Sequence, residues 1–84
     1  MSAKSQAEYF HPGEYIAEEL EARGWTRATL AIASGLDRRI IDELIAEKLA
    51  VTRMIACGLG LALGTSPQFW RNLQATWDSR DEEE

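Results

Sequence analysis

Hydrophobic side chains recur along much of the chain at intervals of three and four residues, which places them on one face of an α-helix. β-branched residues are sparse, and no segment alternates apolar and polar residues as a half-buried strand does. Five segments show the helical spacing. The pattern therefore predicts an all-α fold of five helices, with the boundaries set by capping residues, glycines and prolines.

The first predicted helix covers residues 11–24, "HPGEYIAEELEARG". A proline is tolerated in the first turn of a helix, and Gly24 is suited to end one. Glu19 and Arg23 lie one turn apart and can form an ion pair. The inward face is predicted to consist of Ile16, Ala17 and Leu20.

The second and third helices are predicted on either side of a tight turn at Gly35. Thr26 is the expected N-cap of "WTRATLAIAS", and Asp37 is the expected N-cap of the third helix. The apolar face of that third helix consists of Ile41, Leu44 and Ile45. We also expect this helix to carry three acids, Asp42, Glu43 and Glu47.

The fourth helix is predicted over "RMIACGLGLAL", with Thr52 as its N-cap and Gly64 at its end. Gly58 and Gly60 lower helix propensity inside this segment, so we expect them to permit close packing. Cys57 is expected to pack as a small apolar side chain.

Two starts are open for the fifth helix. Thr65 can form a capping box with Gln68, whereas Ser66 as the N-cap leaves Pro67 in the favoured first position. Aromatic and aliphatic side chains then follow on one face of the helix, namely Phe69, Leu73 and Trp77, with Trp70 beside them.

The length of 84 residues indicates one domain. We expect a flexible arm over residues 1–10, the folded domain over 11–77, and a disordered acidic tail over 78–84. A single cysteine excludes an internal disulfide and fits a reducing cytoplasm. The longest apolar run is too short to span a membrane, and the N-terminus lacks the pattern of a signal peptide.

The net charge is −5, but its distribution is uneven. Residues 78–84 contain five acids and one arginine, whereas residues 23–53 contain six basic and four acidic side chains. A non-specific nucleic-acid binder is usually far more basic. The charge therefore argues against strong electrostatic DNA binding and mildly favours a basic partner.

The spacing around Gly35 matches a helix-turn-helix when Arg27 is counted as position one. Small Ala31 then falls at position five and glycine at position nine, where a tight turn is needed. Apolar residues fall at positions four, ten, fifteen and eighteen, where they fix the angle between the helices. Ser34 departs from the pattern at the normally apolar position eight. A plain helical bundle with a glycine turn remains the alternative.

Two segments, "HPGEYIAEELEARGWTRATLA" and "ALGTSPQFWRNLQ", resemble the HigA-type antitoxins of the Xre helix-turn-helix group. The resemblance runs from His11 to about Trp77. It implies a lambda-repressor-like fold and a homodimer. It also implies two partners, a palindromic operator through which the protein represses its own operon and a RelE-like ribonuclease toxin that it neutralises.

The predicted DNA contacts lie at the start of the second helix, on the third helix and near the start of the fourth. Cationic side chains would contact phosphates or bases, with Arg39 as the expected guanine reader, while two N-cap residues would point backbone amides at phosphates. The full set is Thr26, Arg27, Asp37, Arg38, Arg39, Asp42, Glu43, Lys48 and Arg53. The predicted dimer interface on the fifth helix is Phe69, Trp70, Leu73 and Trp77.

Several departures from the family lie on the side expected to face DNA. Family members often have Ser, Asn and Gly at the positions of Asp42, Ala46 and Glu47, and they usually have Gln and Ser at those of Arg27 and Asp37. Carboxylates near phosphates are repulsive, so we expect weaker DNA binding than is usual in the family. The acids could be a solvated helix face, a reader of cytosine amino groups, or a surface for a protein partner.

The alternative function is a protein-binding module on a helix-turn-helix scaffold, with little or no specific DNA binding. An enzyme is not expected, because no nucleophile, base or metal set is arranged in the sequence. His11 is the sole histidine, and we expect it to serve a turn or a helix cap. No cofactor, metal or membrane partner is predicted.

Overall fold

The computed structural model describes residues 10–80, which form five α-helices with no strand among them. In chain order they are α1 (Pro12–Arg23), α2 (Arg27–Ser34), α3 (Arg38–Ile45), α4 (Arg53–Leu63) and α5 (Pro67–Asp78). The all-α, five-helix prediction is confirmed. Most of the predicted N-terminal arm, residues 1–9, and the last four residues of the predicted tail lie outside the described residues.

Side-chain caps begin four of the five helices, because the first N–H groups of a helix have no partner within it. Oγ1 of Thr26 accepts from the Thr29 N–H at 3.1 Å, and Oγ1 of Thr52 accepts from the Ile55 N–H at 3.3 Å. Nδ1 of His11 accepts from the Gly13 N–H at 2.9 Å, which confirms the capping role predicted for this histidine.

The start of α5 resolves the two alternatives in favour of Ser66. Its Oγ accepts from the Phe69 N–H at 3.2 Å, and Pro67 occupies the first helical position. Thr65 has a different role, because its hydroxyl accepts a 2.6 Å hydrogen bond from Nε1 of Trp70. The indole of Trp70 is therefore buried without leaving its N–H unpaired.

Three helices end at a glycine in the left-handed conformation, with φ of 69° at Gly24 and 76° at both Gly35 and Gly64. The third helix ends differently. It stops at Ile45, Ala46 follows in the right-handed region, and Glu47 takes φ of 64°. The expectation that Glu47 belongs to α3 is therefore wrong, because the chain has already turned away from the helix axis.

The core is formed by residues from all five helices and two connections. Its buried members are Ile16, Leu20, Leu30, Leu36, Ile41, Leu44, Val51, Ile55, Ala56, Leu59, Leu63 and Trp70. Ala17 and Cys57 are both exposed, so the predictions that they pack inward are wrong. In each case neighbouring residues with the correct helical spacing supply the buried face, and Ala17 and Cys57 fall on the outward side.

Close packing at the glycines of α4 is confirmed. A Cβ on Gly58 would lie 2.8 Å from the carbonyl oxygen of Ser34, so α4 approaches the end of α2 more closely than alanine permits. The buried Ser34 hydroxyl accepts from the Leu36 N–H at 3.2 Å and donates to the Ala31 carbonyl at 3.4 Å. Local hydrogen bonds thus satisfy a polar residue at a normally apolar position.

Arg23 joins the end of α1 to the end of α4. Its Nε donates to Oε1 of Glu19 at 2.9 Å, which confirms the predicted ion pair, and its Nη2 donates to the Leu63 carbonyl at 2.9 Å. Its guanidinium also lies 5.3 Å from the ring centroid of Trp25. One side chain therefore satisfies an otherwise unpaired carbonyl in the last turn of α4.

The aromatic face of α5 covers α1. The ring of Tyr15 meets the rings of Phe69 and Trp70 edge-on, with centroids 5.1 and 5.5 Å apart, and His11 meets Trp77 at 5.2 Å. The predicted tail begins with three residues, 78–80, that belong to this packed end. Asp78 is the last residue of α5, and the Arg80 guanidinium lies 3.8 Å from the centroid of Trp77.

Candidate nucleic-acid interface

The second and third helices form a helix-turn-helix around residues 35–37. Leu30 on α2 and Leu36 in the turn are buried. Ile41 and Leu44 are buried on α3, so the apolar positions hold the two helices together. Arg38 and Arg39, at the start of α3, are exposed. The core therefore fixes α3 by one face and presents the opposite face of its first turns to solvent.

The N-cap position of α3 is only partly as predicted. Asp37 precedes the first helical residue and has the extended backbone of an N-cap, but its side chain makes no capping hydrogen bond. The expectation that its side chain caps α3 is therefore wrong. Its exposed carboxylate adds a negative charge at the end of the helix that would approach phosphates.

Asp42 brings together two arginines of the predicted site. Its Oδ1 accepts from Nη1 of Arg27 at 3.0 Å and from Nε of Arg38 at 3.2 Å, so it bridges α2 and α3. The side chains of Arg27, Arg38 and Asp42 retain 44, 56 and 42% of their exposure. The bridge therefore lies at the surface and is accessible to water.

The electrostatic effect on Asp42 follows from this contact. The hydrogen bond from Arg27 lowers the pKa of the Asp42 carboxyl below its ordinary value, and Arg38 acts in the same direction. Asp42 is thus ionised at neutral pH and does not behave as an isolated solvated acid. One of its oxygens already accepts two hydrogen bonds, which leaves Oδ2 as the atom available to a base or another partner.

The other cations of the predicted site are exposed. Arg39, Lys48 and Arg53 form no ion pair within 4.0 Å among residues 10–80. The backbone N–H of Lys48 donates to the Glu43 carbonyl at 2.9 Å, which folds the connection back onto the last turn of α3. Glu43 itself is half-buried. The Thr26 hydroxyl is used for capping and also lies 3.0 Å from the Thr29 hydroxyl.

The sequence spacing contained a signal for one half of the Asp42 bridge but not for the other. Arg38 and Asp42 are four residues apart on one helix, a spacing that brings opposite charges together. The Arg27–Asp42 pair joins residues fifteen positions apart and depends on the angle between α2 and α3. Asp42 was predicted as a possible base reader, and its contact with both arginines was not anticipated.

The four residues predicted for the dimer interface all contact their own chain. Trp70 is 0% exposed, so it has no surface to offer a second subunit and belongs to the core. Phe69, Leu73 and Trp77 are half-buried. The most exposed large apolar side chains of residues 10–80 lie elsewhere, at Ile32 on α2 and at Met54 and Leu61 on α4.

Two further features bear on the class of site. Among residues 10–80, no three His, Cys, Asp or Glu side chains are placed to hold a metal ion. None of the helices described has the length and apolarity needed to cross a membrane.

Comparison with known proteins gives the family. No family model matches the chain. Antitoxin HigA-1 of Vibrio cholerae is 38% identical over 73 residues, which span 82% of this chain and 69% of that protein. A HigA-family addiction module antidote protein from Coxiella burnetii superposes with a TM-score of 0.80 at 30% identity, covering 87% of this chain and 80% of that one.

A third similar protein was solved together with DNA. Pseudomonas aeruginosa antitoxin HigA with the higBA promoter has a TM-score of 0.81 at 29% identity, covering 88% of this chain and 82% of that chain. The sequence and structural similarities cover 82 to 88% of this chain, which is more than the helix-turn-helix alone. The chain therefore belongs to the HigA-type family of helix-turn-helix antitoxins.

Proposed function

We propose that this protein is a cytoplasmic HigA-like antitoxin and transcriptional repressor that binds operator DNA as a dimer. It would neutralise a RelE-like ribonuclease toxin by binding it, without catalysing a reaction itself. The observation that carries the DNA-binding part is the exposed, arginine-bearing start of α3 on a buried helix-turn-helix frame. The similar P. aeruginosa antitoxin with the higBA promoter supports it.

Three exposed cations would make the first contacts. Arg39 lies in the first turn of α3, where a guanidinium can donate to O6 and N7 of guanine in the major groove. Lys48 lies in the connection after α3 and Arg53 is the first residue of α4, and both would contact phosphates. Arg27 and Arg38 are ion-paired with Asp42. They can contact DNA only if they break these ion pairs or bind a phosphate while keeping them.

A dimer would place two copies of α3 about one turn of DNA apart, roughly 34 Å, on a palindromic operator. Phe69, Leu73 and Trp77 remain the proposed contacts on α5, while Trp70 acts through the core. Sedimentation velocity over a range of protein concentrations tests the dimer. A single species with the mass of one chain at every concentration would contradict it.

One observation favours the second candidate, a protein-binding module with little specific DNA binding. Asp42 holds two of the five arginines and lysines predicted to contact DNA, which lowers the positive charge available to phosphates. This candidate keeps the toxin-binding role. It differs from the first only in the absence of a preferred DNA sequence.

Fluorescence anisotropy separates the two candidates. The titration uses a labelled duplex from upstream of the protein's own gene and a scrambled duplex of equal length, each at several salt concentrations. An operator-binding protein prefers the first duplex by about tenfold or more at moderate salt. Equal affinity for both duplexes would favour the protein-binding module.

The toxin-binding role needs its own measurement. Co-expression with the neighbouring open reading frame, followed by affinity purification of this chain, should recover a small basic protein in stable complex. Growth of the host should stop when that neighbour is expressed alone and should recover when both are expressed. A neighbour that is harmless alone would contradict the antitoxin assignment.

A further inference from the structure

The contact between Asp42 and two arginines has an effect on anion binding that can be derived from its geometry. A single oxygen, Oδ1, accepts from donors on two helices at 3.0 and 3.2 Å. Phosphate oxygens would accept from the same two guanidinium groups. The ionised carboxylate already takes one nitrogen of each guanidinium and places a negative charge beside the donors that remain.

The size of the effect on anion binding follows from the charges of Arg27, Arg38 and Asp42. Arg27 and Arg38 contribute two positive charges, and Asp42 reduces their sum to one. Counterion release makes the salt dependence of DNA binding proportional to the number of phosphates neutralised. A phosphate approaching either arginine also approaches the carboxylate, and like charges about 5 Å apart in water lower the affinity by a factor of about four.

The two ion pairs of Asp42 form in this structure but are weak enough to be broken by a competing anion. All three side chains are about half exposed, and exposed ion pairs contribute little net stability. The hydrogen bonds keep the pKa of Asp42 low, so mild acidification would not remove its charge. A polyanion can thus displace the Asp42 carboxylate from the two arginines, but it must break the ion pairs to do so.

We propose that Asp42 acts as an intramolecular competitor for phosphate at Arg27 and Arg38, and so sets the affinity and salt dependence of this interface for polyanions. The inference rests on the proposed function for its biological meaning, but the competition itself is a property of these three side chains. Because every DNA sequence carries phosphates, Asp42 lowers binding to all sequences alike. Occupancy of a DNA site then depends more heavily on contacts to bases, such as those of Arg39.

Two variants of Asp42 and one matched control test the inference. Asp42→Asn keeps the size of the side chain but removes its charge, and Asp42→Ser is too short to reach both arginines. Glu43→Gln removes one negative charge from the next position of α3, where no ion pair is formed within residues 10–80. Circular dichroism first establishes that all three variants retain the helical fold of the parent.

The first probe is heparin, a polyanion without base sequence. Both Asp42 variants should elute from a heparin column at higher salt than Glu43→Gln, because the negative charge that they remove is the one in contact with two arginines. With a scrambled 30-base-pair duplex at low salt, the Asp42 variants should bind about fourfold more tightly than the parent. The salt slope of log K should be steeper by about one.

The outcomes separate the inference from the proposed function. Asp42 variants that elute with or before Glu43→Gln, and bind the duplex no more tightly, would overturn the competition. A decrease in affinity would show that Asp42 instead positions the arginines for phosphate. If the heparin result is as expected but neither parent nor variants prefer the duplex from upstream of the gene, the competition stands and the operator-binding function fails.

Discussion

The side-chain Oε1 of Gln74 accepts a 2.8 Å hydrogen bond from the backbone N–H of Val51, which joins α5 to the connection ahead of α4. The amide Nε2 of Gln74 donates to Oδ1 of Asp78 at 2.8 Å, so both ends of this buried side chain are paired. A backbone N–H outside any helix is thereby satisfied inside the protein.

Gln74→Met should lower the free energy of unfolding by about 1–3 kcal/mol, because the similar shape fills the space but leaves the Val51 N–H without its acceptor. Urea unfolding followed by circular dichroism measures the change. Gln68→Met is the control, since Gln68 is exposed and pairs with Asn72 on the surface. A loss at position 74 no larger than at position 68 would contradict the role given to this hydrogen bond.

Glu47→Gly should raise the free energy of unfolding by about 1 kcal/mol. Glu47 has φ of 64°, a conformation that costs a residue with a Cβ about 1–2 kcal/mol and costs glycine little. Glu47→Gln controls for the lost charge and should leave the stability within about 0.5 kcal/mol of the parent. Thermal or urea unfolding of the parent and the two variants measures these differences. A lower stability of Glu47→Gly than of the parent would contradict backbone strain at position 47.

The stability should fall as the pH drops below about 6.5 because of His11. Burial lowers the pKa of His11 in the folded protein, and the cap on α1 uses Nδ1 as an acceptor, which only the unprotonated nitrogen provides. Because the unfolded chain binds the proton more readily, stability is present above pH 6.5 and is lost on acidification. One such group changes the unfolding free energy by at most about 1.4 kcal/mol per pH unit.

The charges around His11 partly oppose this effect. Glu47, Asp78 and Glu14 raise the pKa of His11, whereas Arg80 lowers it along with burial. His11→Asn keeps a capping acceptor without a titrating group. Its unfolding free energy should change less than that of the parent between pH 7.5 and 5.5. If the unfolding free energies of the parent and His11→Asn change equally with pH, groups other than His11 cause the pH dependence.

Arg39→Ala should weaken binding to the duplex from upstream of the gene by about 1–3 kcal/mol and relax the preference at one base pair. The measurement is anisotropy against a set of duplexes that each carry one substituted base pair. Arg71→Ala, which removes an exposed arginine on α5, is the control for net charge. An equal loss on every duplex would assign Arg39 to phosphate rather than to a base.

Features that depend on a few neighbouring residues were predictable from the sequence. The caps at Thr26 and Thr52 and the glycine ends at Gly24 and Gly64 follow from local backbone chemistry, and the structure confirms them. At the start of α5 the sequence left two caps open. Local preference alone does not decide between them, because the hydroxyl of Thr65 is taken by the indole of Trp70.

Features that depend on the relative placement of helices were predicted less well. Periodicity indicates an inward face but not its edges, which is why Ala17 and Cys57 were wrongly placed in the core. The Arg27–Asp42 contact requires the crossing of α2 and α3, which residue spacing does not specify. The sequence therefore predicted the helix-turn-helix frame that carries the candidate site, while the pairing of the charges on that frame emerged only from the structure.

The connections between the five helices are short, covering residues 24–26, 35–37, 46–52 and 64–66. The consecutive helices α2 and α3, and likewise α4 and α5, pack against each other, and small helical proteins fold in microseconds to milliseconds. A newly made or transiently opened chain would regain its structure far faster than a cell divides.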